Sequence, residues 1–406
     1  IYGDIDGDHL PEIAMARMTA NPSNIELLVR KAIDHERNPP TNPSFYDNPI
    51  MACGWQTERW FQVCTEVVYG YFANVHGKHP VREYAIYSGT PGTIWSTNPN
   101  TYMLEDYFGP GGLGYLPIDS SHLTDWGGNA TRINADINRG AFILQHRDHG
   151  SETGWGEPDY DIGDLAGLSN EDLVFVFSIN CLTGQYDWSS ECFTEAFHRM
   201  EGGALGLIAA SEVSYSFVND TFVFGLYDEM WPDFDPGYPT APGQFNQPVG
   251  ELRPAFANAS GKHYLWASNW PYNPGDKEVT YNLFHMHGDA FTRLYSEVPA
   301  ELTVSHQGVL PIGAETFNIT AGQGRSLKEL ADIISDLVPG VETTISTEED
   351  RFRPKRGTLD ITKARTLIGY EPQYDLETGM AEYVDFVVNA QVLQGIKPEA
   401  VEKYRK

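Results

Sequence analysis

Two apolar runs, each stopping abruptly at a residue capable of proton or acyl chemistry, constrain this chain more than any other feature. The first, Ala141-Phe142-Ile143-Leu144, leads into His146-Arg147-Asp148-His149-Gly150, and the second, Leu173-Val174-Phe175-Val176-Phe177-Ser178-Ile179, leads into Asn180-Cys181. Neither alternates polar with apolar residues, and both are rich in β-branched and aromatic side chains. Each therefore reads as a strand covered on both faces, as in a parallel sheet. The roughly thirty residues between them suffice for a crossover connection. Open parallel sheets bind ligands beyond the carboxyl ends of their strands, so His149 and Cys181 belong together on one edge. A third run, residues 206–211, adds a strand. The loop after it, Glu212-Val213-Ser214-Tyr215-Ser216-Phe217, is placed to wall the same cleft.

The rest of the chain agrees with alternating α/β order. An acidic loop, Asp4-Ile5-Asp6-Gly7-Asp8, precedes the apolar stretch Ile13-Ala14-Met15-Ala16. A helix follows, capped by Asn24, with Ile25, Leu28, Val29 and Ile33 as its apolar stripe, and Asn38-Pro39-Pro40 breaks it. A strand at residues 50–53, a helix over about 58–74 and a strand at 82–87 come next. Pro and Gly cluster between Trp231 and Pro254, as in a long surface loop. With 406 residues, 41% hydrophobic and 13% aromatic, the chain is long enough for two or three domains. The opening residues read as the inside of a strand without a signal peptide, which suggests a truncated start. No run approaches the length of a transmembrane helix. A net charge of −29, from 27 basic and 56 acidic residues, argues against nucleic-acid and anionic-membrane partners. Four cysteines, at 53, 64, 181 and 192, are too few for a disulfide scaffold, and no CxxC pair indicates zinc.

A thiol is a useful nucleophile only as thiolate, and a histidine within reach accepts its proton. Backbone amides after the strand ends are available to a developing oxyanion, and Gly150 beside the base permits close approach of substrate. The alternative is a buried core cysteine with an unrelated loop histidine.

The surrounding residues bear on that choice. His149-Gly150-Ser151-Glu152-Thr153, the strand ending at Cys181, and Cys192-Phe193-Thr194-Glu195-Ala196 resemble the catalytic segments of the gingipain family of cysteine peptidases. The opening Gly7-Asp8-His9-Leu10-Pro11-Glu12-Ile13-Ala14, the helix ending His35-Glu36-Arg37-Asn38, and residues 206–211 and 283–289 follow the family's order. The resemblance spans residues 1–296, and residues 297–320 are similar to the first strands of the immunoglobulin-like module that trails such peptidases. It implies an α/β, caspase-like sandwich with a mostly parallel sheet, then a short β segment and an α-rich tail. It further implies a secreted or cell-surface cysteine endopeptidase acting on polypeptides through a thioester, with Cys181 as nucleophile and His149 as base. The Cys181 and Gly150 amides would form the oxyanion hole. Glu152 is a supporting or solvent-facing residue, and Glu212, Tyr215 and Phe217 are substrate-binding candidates, Phe217 as a roof over the specificity pocket. Well-known relatives carry an acidic residue after the strand matching residues 50–53. Gly54-Trp55-Gln56 stands there instead, which leaves Glu58 and Glu66 as nearby acids, each expected on a helix surface, and makes preference for arginine or lysine doubtful.

Asp4, Asp6, Asp8 and Glu12 offer hard oxygens suited to structural Ca²⁺, although His9 and Met15 break the EF-hand pattern and a solvated acidic turn is the alternative. Residues 321–406 have another texture. Ser326-Leu327-Lys328-Glu329 is a capping box, and the stretch from Arg353 through Leu367-Ile368-Gly369-Tyr370-Glu371-Pro372 resembles the C-terminal part of NAD-dependent nucleotide-sugar epimerases and dehydratases. That chemistry needs a glycine-rich dinucleotide turn and a Tyr-x-x-x-Lys pair, which the sequence lacks, so no NAD is expected. Gly109-Pro110-Gly111-Gly112 reads as a loop. The junction suggests a chimeric frame or an unusual natural fusion. Two rivals to the peptidase are thus a peptidase-like scaffold that no longer cuts and a nucleotide-sugar enzyme defined by the tail.

Overall fold

The computed structural model describes residues 3–237, 251–270, 274–299, 320–338 and 358–393. The chain divides into two compact units, residues 1–300 and 301–406. The first unit is built on a seven-stranded sheet comprising β1 (Ala16–Arg17), β2 (Ile50–Gln56), β3 (Val81–Ser88), β4 (Ile143–Arg147), β8 (Val174–Ile179), β9 (Ala204–Ala210) and β10 (Phe284–His287), with a ribbon of β5 (Gly150–Ser151), β6 (Gly154–Trp155) and β7 (Tyr160–Asp161) beside it. The large sheet runs β1-β10-β9-β8-β4-β2-β3 and is parallel apart from the β10–β9 pair. This is the mostly parallel α/β fold that the apolar runs imply.

Every residue of β2, β4, β8 and β9 is buried, because cores lie on both faces. Phe175, Phe177 and Ile179 of β8 enter the core beneath the helices Phe61–Asn74 and Val218–Met230, whereas Val174 and Val176 enter the core beneath Ala130–Arg139 and Phe193–His198. The two-residue period of a strand thus gives each layer alternate side chains. Each such burial stabilises the fold by about 1.5–3 kcal/mol, so the strand ends stand on a stiff platform.

Connectivity sets where a cleft can form. From β2 the chain moves outward to β3, then returns to the other side of β2 for β4 and proceeds through β8 to β9. The direction therefore reverses between β2 and β4, and a crevice opens at the carboxyl ends of strands at such a point. β2 ends at Gln56, β4 leads to His149 and β8 leads to Cys181, on three successive strands.

Some local expectations need correction. The described residues show no strand at the chain's start, where residues 3–13 form turns, and the first strand is only Ala16–Arg17. The first helix, Ile25–Arg37, begins after Asn24 as expected, but the Asn24 side chain accepts from Asn21 N, outside the helix. Its buried face is Leu28, Lys31 and His35, while Ile25, Val29 and Ile33 are exposed. The reason is Lys31, whose Nζ donates to the carbonyls of His198, Met200 and Gly202 at 2.8, 2.9 and 3.0 Å. Those carbonyls at the end of another helix attract a cation, and the helix rolls to supply it. Glu66 is a core residue, not a surface one. It is 1% exposed and binds Arg82, Tyr84 and His122.

The second unit contains helices Leu327–Leu337, Thr362–Ile368 and Leu376–Leu393. Ser326 caps the first: Glu329 N donates to its Oγ, and Glu329 Oε2 accepts from Ser326 N. Residues 300–319, expected to hold the first strands of a further module, most of the loop between Trp231 and Pro254, and Arg353 lie outside the described residues.

Candidate active site

Beyond β4 the pairing register runs Arg147 opposite Ile179, so His149 and Cys181 continue from adjacent parallel strands, which lie about 4.8 Å apart. The two loops interlock closely. A side chain on Gly150 would place its Cβ 2.7 Å from both Asn180 Oδ1 and Cys181 O, so glycine beside the histidine is a steric requirement.

Asn180 fixes the approach to the thiol. Its Nδ2 donates to His146 Nδ1 at 2.8 Å, and its Oδ1 accepts from Thr183 Oγ1 at 2.7 Å. His146 in turn donates from Nε2 to Glu157 O at 3.1 Å and stacks on Trp155 with ring centroids 4.0 Å apart. Burial lowers its pKa to about 3, which keeps the ring neutral and able to accept from Asn180. Leu182, directly after the cysteine, sits at φ 62°, a backbone conformation that costs free energy and is held by its surroundings. Cys181 is half-buried, and its Sγ lies 3.4 Å from Ser214 O. The other three cysteines are fully buried, and burial raises the pKa of each. Among the four, Cys181 alone is not fully buried.

The histidine is oriented by a residue that sequence reasoning noticed only as a mismatch. His149 Nε2 lies 2.7 Å from Gln56 Oε1, and Gln56 Nε2 donates to Glu58 Oε1 at 2.5 Å. The chain of bonds assigns the proton. An ionised carboxylate only accepts, so Gln56 turns its amide N–H to Glu58 and its oxygen to His149. Nε2 must then carry the hydrogen, and Nδ1 is left with the lone pair of a base. Phe61 meets the imidazole edge-on at 5.3 Å and Tyr87 lies against it at 4.4 Å. Burial, followed by the charges of Arg147 and Arg59, lowers the His149 pKa to about 4, so the resting ring is neutral.

Arg147 ties the platform together. It is 1% exposed, pairs with Asp220 at 2.6 Å, donates to the Ile179 and Asp148 carbonyls at 3.3 Å, and lies 4.2 Å from the Phe61 ring centre. The same Asp220 carboxylate accepts from Phe217 N at 2.8 Å and holds that residue at φ 71° as the cap of the Val218–Met230 helix. Phe217 is consequently 3% exposed and packs edge-on against Trp60 at 4.9 Å, so its ring belongs to the core and not to an open roof. Tyr215 is exposed, as is Glu212, whose Oε1 accepts from Val213 N. Glu152 is half-buried, and its carbonyl accepts from Phe193 N.

Asp148 is the anomaly of the site. It is 1% exposed, and neither carboxyl oxygen has a well-aligned hydrogen bond among the described residues. Only the His149 and Glu157 amides lie near enough to favour its charge, and its carboxyl fills the space where a Gly54 Cβ would come within 2.5 Å of Cγ. Burial pushes its pKa up to about 7. The unfolded chain releases this proton near 3.8, while the folded protein holds it to about 7. Stability contributed by the group therefore falls as pH rises through that window. Asp148→Asn should raise stability at pH 8 by on the order of 2 kcal/mol and have little effect at pH 4. Thermal melting at both values checks this, and coincident curves at pH 8 would sink it.

In the segment before β1, one oxygen each from Asp4, Asp6 and Asp8 converge within 4.8 Å. Glu12 does not join them, because its Oε2 accepts from Ile5 N at 2.6 Å. The donor set is all hard oxygen, which fits Ca²⁺.

Residues 1–295 match peptidase family C25. Lys-gingipain of Porphyromonas gingivalis is 24% identical over 347 residues, which cover 80% of this chain and 17% of that protein. Gingipain R2 of the same organism is 23% identical over 201 residues, 48% of this chain and 25% of its own length. In structure, the Arg-specific cysteine proteinase gingipain R is similar with a TM-score of 0.56 at 17% identity, over 75% of this chain and 61% of that one. The chain thus spans less than a fifth of Lys-gingipain, and the structural likeness concerns the fold.

Proposed function

We propose, for a chain that belongs to peptidase family C25, that it hydrolyses peptide bonds by acyl transfer to Cys181. The observation that carries this reading is the bond from Gln56 to His149, which leaves Nδ1 of a neutral imidazole as a base at the strand end beside the half-buried thiol. The thiol swings away from Ser214 O and gives its proton to His149 Nδ1. Its sulfur then bonds to the scissile carbonyl carbon, and the oxyanion is received by the Cys181 and Gly150 amides. Collapse expels the amine, which takes the proton back from His149. Water, deprotonated by the same nitrogen, then cleaves the thioester and restores the thiol. Gln56, backed by Glu58, keeps the ring in one tautomer throughout. Incubation with a denatured protein mixture, followed by mass spectrometry of new termini, tests the proposal. A folded wild type that generates none would overturn it.

The names of the relatives specify lysine or arginine, but that preference does not transfer here. Asp220, the buried acid that caps the Val218–Met230 helix, is already neutralised by Arg147. We further place a structural Ca²⁺ on Asp4, Asp6 and Asp8, where three converging carboxylates repel one another unless neutralised. Excess calcium should raise the melting temperature relative to EGTA, and identical curves would dismiss the site. Action outside the cell follows from kinship with the gingipains. Among the described residues no helix is long and apolar enough to cross a membrane. The nucleotide-sugar reading is not favoured, since the family match covers the dyad and its platform.

A further inference from the structure

Arg59 lies in the short connection between β2 and the Phe61–Asn74 helix, held by its amide donating to Gln56 O at 3.0 Å. The residue that orients His149 therefore also fixes Arg59. Its guanidinium lies over the Phe217 ring at 5.8 Å. Phe217 belongs to the turn whose Ser214 carbonyl meets the Cys181 thiol at 3.4 Å, so one turn joins the nucleophile at one end and the guanidinium at the other. Arg59 is half-buried, and its Nε is sealed from solvent without an acceptor among the described residues. A desolvated guanidinium N–H left unpaired is costly, and a planar fork of donors is suited to a carboxylate.

Among the described residues no acid forms an ion pair with it, although the exposed Glu58 next to it feels its charge. Asp220 has both oxygens on Arg147 and one also on Phe217 N. Glu58, the adjacent residue, gives Oε1 to Gln56, and Asp148 lies sealed behind Gly54. The positive charge of Arg59 also reaches the imidazole and contributes to its lowered pKa. Arg59 thus forms no ion pair among the described residues, while the buried Asp220 is neutralised internally. The exposed Glu212 stands at the start of the turn, next to Cys181 rather than next to Arg59, so the surroundings of Arg59 itself discriminate against basic side chains and reward acidic ones.

We propose that Arg59 is a specificity-determining residue that receives an acidic side chain, aspartate or glutamate, on the substrate residue contributing the scissile carbonyl. This rests on the peptidase reading, and the test separates the two. Peptides identical except for Asp, Glu, Ala, Arg or Lys at that position are compared in two ways: as substrates of the wild type, and as ligands of Cys181→Ala by fluorescence anisotropy, which needs no turnover. The wild type should prefer the acidic peptides. Arg59→Ala should lower the acidic-to-alanine ratio by about 10- to 100-fold, the range associated with losing a hydrogen bond to a charged group, and Arg59→Glu should invert it toward lysine and arginine. The Cys181→Ala protein should bind with the same order, and adding Arg59→Ala should abolish that order. Preference for a basic residue, or a ratio indifferent to Arg59 in both assays, overturns the inference. Acid-selective binding without any cleavage would leave the specificity standing and remove the peptidase.

Discussion

Alanine at Cys181 should lower kcat/KM for peptide cleavage by at least about a thousandfold, alanine at His149 should do nearly as much, and the double variant should be no worse than either. The reason is that the two side chains perform one step. Without the sulfur no acyl intermediate forms, and without Nδ1 the thiol keeps its proton, since its neighbour in the resting structure, Ser214 O, accepts a hydrogen bond but is no base at neutral pH. Neither substitution should disturb the fold greatly, because Cys181 and His149 are both half-buried at the cleft. Melting temperatures close to wild type, together with lost turnover of the preferred peptide, are the expected result. Additive losses in the double variant would mean that the residues act independently, and the dyad would have to be abandoned.

Arg147→Met should destabilise the first unit by about 3–5 kcal/mol, the cost of removing one partner from a buried ion pair. Asp220 is 0% exposed, and without Arg147 its carboxylate would keep, among the described residues, only the Phe217 amide. The guanidinium also bonds the Ile179 and Asp148 carbonyls, beside the loops that carry Cys181 and His149. Arg147→Met combined with Asp220→Asn should therefore recover most of the lost stability, since no buried charge remains, yet still cleave more slowly because the loops lose a shared donor. Denaturant unfolding and kcat on the single and double variants measure both effects. A single variant as stable as wild type would show that the pair contributes nothing net.

The platform was readable in the chain for a simple reason. Residues 173–179 are apolar without alternation because β8 is covered on both faces, and a strand so covered must end where a polar residue reaches solvent. The ends of β4 and β8 were therefore marked in advance, and with them His149 and Cys181. The capping box at Ser326 was legible because its two bonds join residues three apart. Arg147 carried half a signal, since a charge at the end of an apolar run must be paired once buried. Its partner Asp220 is 73 residues away and no local pattern selects it.

Gln56 shows where reading the sequence stopped. It looked like a missing acid because attention was on residue type, whereas its importance comes from position, as the last residue of the strand beside the reversal between β2 and β4. A similar limit applied to the first helix, whose most apolar stripe faces outward because carbonyls of a distant helix required Lys31. By itself the sequence determined the alternating α/β order and the ends of β4 and β8, which follow from short-range periodicity and the cost of burying polar groups, while the pairing of His149 with Cys181 was what the family resemblance implied. Only the tertiary structure decided which nitrogen of His149 carries the hydrogen and which acid Arg147 neutralises, because each depends on groups brought together from separate strands and loops.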